Sequence, residues 1–254
     1  MSVRLYAQYR RALKTAPLCT SYADYEYYRL PPRMDMSLMA YGTMLKEFSA
    51  EIANEINALI NYTHDLAAWD EVMKPLAEQR KFDVLAEFVL PIASLALGMP
   101  YSIRARFLFA AVHLCHQVNQ LQQGKKWVDK LPPDRGIKQA HLDQLGGGWQ
   151  SYACFRQAME GIFDKGYRQA TRDYRHRYNH QMPPGLVIGI TGMVTRKVEP
   201  KTGLVSYSFG ATPPLPMSTI VQLVSEQCRR CRETFDEFKK LIGDHVAAIA
   251  AASP

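Results

Sequence analysis

Residues Arg172 to Pro184 read Arg-Asp-Tyr-Arg-His-Arg-Tyr-Asn-His-Gln-Met-Pro-Pro, so three arginines and two histidines crowd into one short stretch that two prolines then close. An arginine grips a phosphate through two parallel hydrogen bonds and keeps its charge at any ordinary pH, while a histidine gives or takes a proton near neutrality. Those are the two parts of a phosphodiester-cleaving site that needs no metal. Arg175 and His180 are five residues apart, about 140° around a regular helix, so they share a face only if the helix loosens near its end. Pro183 favours such loosening, because the residue before a proline is pushed out of helical backbone. His176 and His180 stand one turn apart and can point together, as can Arg175 and Asn179. A solvated basic helix end, complementing the negative end of the helix dipole, would explain the charge but not five such groups crowded with Asn179.

The stretch must be held by something, and the sequence predicts a helix from Trp149 to about Gln181. Phe155, Met159, Ile162, Phe163, Tyr167, Ala170, Tyr174 and Tyr178 recur at helical spacing, leaving Arg168, Arg172, Arg175 and His176 on or near the other side. Upstream, a short helix is expected over 3–14. A linker follows from Ala16 to Pro32 with Tyr22, Tyr25, Tyr27 and Tyr28, whose rings are able to stack on bases but are more simply read as pinning it to the core. A long helix starts near Asp35, a possible N-cap, with a stripe of Leu38, Tyr41, Leu45, Phe48, Ile52, Ile56, Leu59, Leu66, Trp69 and Met73. Phe82 to Leu97 is a second apolar segment, kinked or split at Pro91, and Tyr101 to Gln123 is the most apolar helix. Downstream of the prolines the period changes: Leu186 to Val198 and Leu204 to Phe209 predict a β-hairpin around Glu199-Pro200-Lys201-Thr202-Gly203, leaning on the bundle and walling the basic stretch. The last helix runs from Ser218, as N-cap, to about Ala250. The fold class is therefore mainly α, a helical bundle with a β-hairpin inserted before the C-terminal helix.

At 254 residues and 28.9 kDa the chain can bury a sizeable core, and a single domain over 1–254, with the hairpin at 186–209 as an elaboration, is expected. A hydrophobic content of 47% with 22% charged residues excludes disorder as the default. The net charge of +7 permits contact with polyanions without requiring it. Five cysteines, an odd number, and no secretory leader after Met1 point to a reducing cytoplasm. The longest uncharged run, between Glu87 and Arg104, is interrupted by Pro91, Gly98 and Pro100, and no membrane helix is expected, since a span needs about 20 apolar residues. Other constellations read as structural. His113 and His116 lack a nearby carboxylate in sequence, and Gly146-Gly147-Gly148 lacks the lysine and hydroxyl of a P-loop and reads as a hinge. Cys228 and Cys231 have the gap of a zinc or redox pair but fall on the apolar stripe of the last helix without a second pair.

Arg175, the polar His176 behind it and His180, near the end of a late helix in a helical chain, resemble the signature of the HEPN superfamily, helical nucleotide- and RNA-binding domains common in prokaryotic toxin and defence systems. The resemblance implies a homodimer whose interface joins two copies of the motif into one ribonuclease site for single-stranded RNA, without metal or other cofactor. It implies that Arg175 stabilises the scissile phosphate and that His180 is general acid or base while the 2′-hydroxyl attacks. His176 would orient the substrate or the pair, with Arg172, Arg177 and Asn179 binding substrate. An antitoxin protein is an expected partner and a membrane is not. The hairpin departs from the minimal family form, and Met182 stands where members paired with a nucleotidyltransferase antitoxin carry a tyrosine, so control by adenylation is not supported. The alternatives are a non-catalytic module binding RNA, a nucleotide or a protein through the same surface, and a structural dimer in which Arg175 and His180 make interface hydrogen bonds.

Overall fold

The computed structural model describes residues 3–26, 30 and 39–252. Tyr27, Tyr28, the Pro31-Pro32 stop, the Asp35 cap and Leu38 lie outside the described residues. The fold is mainly α, with a single two-stranded antiparallel hairpin just before the C-terminal helix among the described residues. The helices are α1 (Val3–Thr15), α2 (Met39–Met73), α3 (Glu78–Val84), α4 (Leu90–Gln123), α5 (Gln139–Gly146), α6 (Tyr152–Gly161), α7 (Lys165–Ala170), α8 (Tyr174–His180) and α9 (Met217–Ala252). Strands β1 (Val194–Val198) and β2 (Val205–Phe209) form the hairpin.

The chain forms two compact units, each from three stretches: Met1–Cys19, Asn61–Gly98 and Lys165–Glu226 in the first, and Thr20–Ile60, Met99–Asp164 and Gln227–Pro254 in the second. In the first unit Tyr9 of α1 stacks on Trp69 of α2 at 4.5 Å, Trp69 stacks in turn on Phe88 at 5.0 Å, and the Tyr9 hydroxyl donates to Asp65 at 2.7 Å. In the second, Phe107, Phe155 and Phe238, from α4, α6 and α9, meet pairwise at 5.7–6.0 Å and are wholly buried. The linker there is pinned as its tyrosines suggested: Tyr25 donates to Asn54 at 2.7 Å, the Ala23 amide donates to Asn57 at 2.8 Å, and Asp24 pairs with Lys239 at 2.7 Å.

Three expected boundaries are different. Pro91 does not split its segment. A wide turn of π-helix at Leu85–Val89 runs into α4, and the backbone stays helical through Pro91, Gly98 and Pro100. Proline has no N–H and crowds the carbonyl four residues back, and a widened turn takes up that crowding without ending the helix. The resulting helix, Glu78–Lys126, is by length and composition able to cross a bilayer, contrary to the expectation from the interrupted run. Ala93, Ala96, Leu97, Ile103 and Phe107 on it are buried within the protein, while Leu90, Leu95 and Tyr101 are exposed.

The helix expected over 149–181 is three helices. At the first break Phe163 takes φ 53°, its amide donates to Gln227 at 2.9 Å, and Arg230 donates to the Gly161 carbonyl at 2.6 Å and to Asp164 at 2.7 Å. Backbone groups released by ending a helix need partners, and two α9 side chains supply them. The apolar spacing carries across the break because Ile162 and Tyr167 remain buried on either side of it. At the last helix the expected Ser218 cap is already inside α9, which begins at Met217 with the Ile220 amide donating to Pro216 at 3.0 Å.

Candidate functional site

The basic stretch is positioned by the second break. Thr171 turns its hydroxyl back to the Tyr167 carbonyl at 2.8 Å, and Arg172 and Asp173 take the left-handed backbone at φ 54° and 53°. Two consecutive non-glycine residues there store strain of about 1–2 kcal/mol each. The turn redirects the chain into α8, whose inner side is anchored by Tyr174. Tyr174 is buried with its hydroxyl 2.9 Å from Ser94, Tyr167 donates to the Leu97 carbonyl at 3.0 Å, and Tyr178 stacks on Tyr174 at 5.8 Å.

The remaining side chains of α8 are divided between open solvent and partial cover. His176, Asn179 and His180 are exposed, Arg175 and Arg177 are partly covered, and the two histidine rings lie 5.1 Å apart. His176 and His180 therefore come together as their spacing predicted. Arg175 and His180 do not. The helix stays regular through His180, with the Gln181 amide donating to Arg177 at 2.8 Å, and the backbone becomes extended only at Gln181 (φ −147°, ψ −159°). Pro183 loosens the chain one residue too late, and Arg175 and His180 remain about 140° apart around the axis within one copy.

Arg172, expected to bind substrate, also has a structural contact: its guanidinium donates to the carbonyl of Pro213. Pro213 lies on the return from the hairpin, so this bond ties the base of the hairpin to the turn before α8. The base is an extended stalk, in which Val187 donates to Leu215 at 2.9 Å, Leu215 to Gly185 at 2.9 Å, and Thr191 and Thr212 exchange bonds at 3.1 and 2.7 Å. Pro184, Leu186 and Leu215 are buried at its root. The hairpin beyond does not lean on the bundle as expected: apart from Ser208, every residue of β1 and β2 is exposed.

A signal overlooked in the sequence lies in the charge distribution. Between Lys165 and Pro216 stand eight lysines and arginines against two acids, Asp173 and Glu199, so this stretch carries +6 of the chain's net +7. No ion pair among the described residues holds Arg177, Arg196, Lys197 or Lys201, whereas Arg156, Arg230 and Arg106 elsewhere are bound to carboxylates.

The other constellations are accounted for by packing. His116 faces Asp129 at 3.0 Å, and His113 faces Asp134 at 3.4 Å while burial pushes its pKa down. No group of three His, Cys, Asp or Glu suited to a metal occurs among the described residues. Cys228 and Cys231 are wholly buried thiols. Gly146 is not a hinge but a close-approach glycine: a Cβ there would stand 2.5 Å from the Tyr152 ring, whose hydroxyl is held by Asp143. His245, which the sequence reading passed over, is wholly buried between Tyr41 (3.2 Å) and the Cys115 sulfur (3.5 Å). A cysteine touching a histidine has the composition of a nucleophilic pair, but burial pushes the thiol up and the imidazole down to about 3, so both are neutral and inert.

Comparison with known proteins finds no matching family model, no matching curated protein and no matching solved structure.

Proposed function

We propose that the protein is a HEPN-like, metal-independent endoribonuclease of a prokaryotic toxin or defence system, cutting single-stranded RNA as a cytoplasmic homodimer that an antitoxin protein would restrain. The observation that carries this reading is the concentration of positive charge in the stretch that bears two adjacent, solvent-open histidines on α8. A polyanion is drawn to such a surface, and the histidines are the groups able to move protons there. In the reaction a base takes the 2′-hydroxyl proton, the 2′-oxygen attacks phosphorus, and the 5′-oxygen leaves with a proton from an acid, giving a cyclic phosphate and a free 5′-hydroxyl. His180 acts as acid or base, His176 orients or complements it, and Arg175 balances charge on the phosphate, with Arg172, Arg177 and Asn179 binding the strand. Because Arg175 and His180 are on different sides of one helix, the reading requires a second copy to complete each site.

That same separation favours a second reading, a non-catalytic RNA-binding module. The two are told apart by incubating purified protein with single-stranded RNA and a chelator. Cleavage is expected, with Arg175→Ala and His180→Ala each slowing it about 100- to 10,000-fold while helical content stays unchanged. Undiminished cleavage by both variants would sink the first reading, and salt-sensitive binding without turnover selects the second.

A further inference from the structure

The hairpin is amphipathic the wrong way round for a core element. Its register pairs Val194 with Phe209, Arg196 with Tyr207 and Val198 with Val205, and directly opposed residues share a face. The other face carries Thr195, Lys197, Ser206 and Ser208. The apolar face is open: Phe209 is 85% exposed, Tyr207 63% and Val194 54%. Folding alone gives no reason for a solvent-facing sheet surface to hold two aromatic rings and three valines.

We propose that this face is a stacking platform for unpaired bases of single-stranded RNA, an inference that rests on the RNA reading above. Tyr207 and Phe209 are two residues apart on one strand, about 7 Å, and present side by side. Aromatic rings on an exposed sheet surface hold two or three splayed bases in sheet-based single-strand binders. The charge fits the same occupant. Arg196 lies beside Tyr207 on the platform, Lys201 stands in the turn and Lys197 on the reverse face, and Glu199 is the one acid on the hairpin. Through the Arg172 bond to Pro213 the stalk is tied to the turn that opens α8, and hairpin and basic helix belong to the same unit. A protein partner fits less well. Five residues per strand give a face on the order of 200 Å², with exposed Ile190, Met193 and Leu204 adjoining the strands in sequence, against roughly 800 Å² per partner in a stable interface. A second copy of this hairpin would oppose like charges.

The test measures binding of a fluorescent 2′-O-methyl oligouridine, which lacks the attacking hydroxyl and so separates binding from cleavage, and of an RNA duplex of equal length. Tyr207→Ala with Phe209→Ala is expected to weaken single-strand affinity on the order of 10-fold per ring and to leave duplex affinity unchanged. Tyr207→Phe with Phe209→Trp keeps both rings and should bind within about twofold of the parent. Single-strand affinity untouched by the alanine pair overturns the proposal, as does absence of any single-strand binding by the parent. A changed oligomeric state with unchanged RNA affinity also overturns it and makes the face a protein interface. If the alanine pair loses binding but the parent never cuts RNA, the platform stands and only the catalytic reading fails; if the pair binds and cuts like the parent, only the platform fails.

Discussion

At the scale of single residues, His245 is a wholly buried titratable group outside the proposed site. With Nε2 protonated, His245 accepts from the Tyr41 hydroxyl at Nδ1 and directs its own N–H at the Cys115 sulfur, while Trp149 packs against its ring at 4.5 Å. Burial depresses its pKa from the usual 6.5 to about 3, so the native state excludes a proton that the unfolded chain takes up. Stability from this group is complete above about pH 6.5 and falls by about 1.4 kcal/mol per pH unit between there and pH 3. His245→Gln should flatten that acid slope in urea unfolding at pH 7 and pH 4.5. His245→Leu should in addition cost about 1–3 kcal/mol at pH 7, where the Tyr41 hydroxyl loses its acceptor. An unaltered acid slope would mean that His245 is not held neutral.

At the scale of elements, the break before α8 decides what the basic stretch can do. Had the helix run on from Lys165, the arginines and histidines would follow the α7 axis. The left-handed pair Arg172 and Asp173 instead starts a new helix, and the Arg172 side chain bonds the hairpin stalk. Left-handed backbone is tolerated by aspartate and glycine but crowds a β-branched side chain. Asp173→Val is therefore expected to cost about 1–2 kcal/mol and Asp173→Gly less than about 1, read from thermal or denaturant unfolding. Equal effects of the two substitutions would contradict a left-handed turn at this position. The hairpin makes the complementary point: its strands follow from alternation and turn chemistry, but its open apolar face needs an occupant to make sense.

For the molecule as a whole, the asymmetry of charge gives a salt-dependence prediction. If the stretch from Lys165 to Pro216 engages RNA with its six net charges, log affinity for a single strand should fall with log salt at a slope near −4, taking about 0.7 per neutralised phosphate. Arg196→Ala with Lys197→Ala should reduce that slope by about 1.4, whereas neutralising Arg156 and Arg230, already bonded to Asp143 and Asp164, should leave it unchanged. A slope near zero for the parent protein would remove the polyanion reading altogether.

Much of this was legible in the chain itself. The helical spacing of Tyr41, Leu45, Ile52 and Ile56, the strand alternation around Glu199 to Gly203, and the pairing of His176 with His180 one turn on all follow from local periodicity, which repeats every 3.6 or 2 residues whatever the surroundings. The concentration of charge between Lys165 and Pro216 was equally readable, as a count rather than a motif. The tertiary structure alone decided where helices break, since Ile162 and Tyr167 keep the apolar spacing across a break that Gln227 and Arg230 make possible from more than sixty positions away. It alone decided that Pro91 sits in a continuous helix, that Gly146 makes room for Tyr152, and that Arg175 and His180 stay on different sides of α8. Those outcomes depend on which distant groups satisfy a backbone donor or occupy a space, and a one-dimensional pattern does not carry that information.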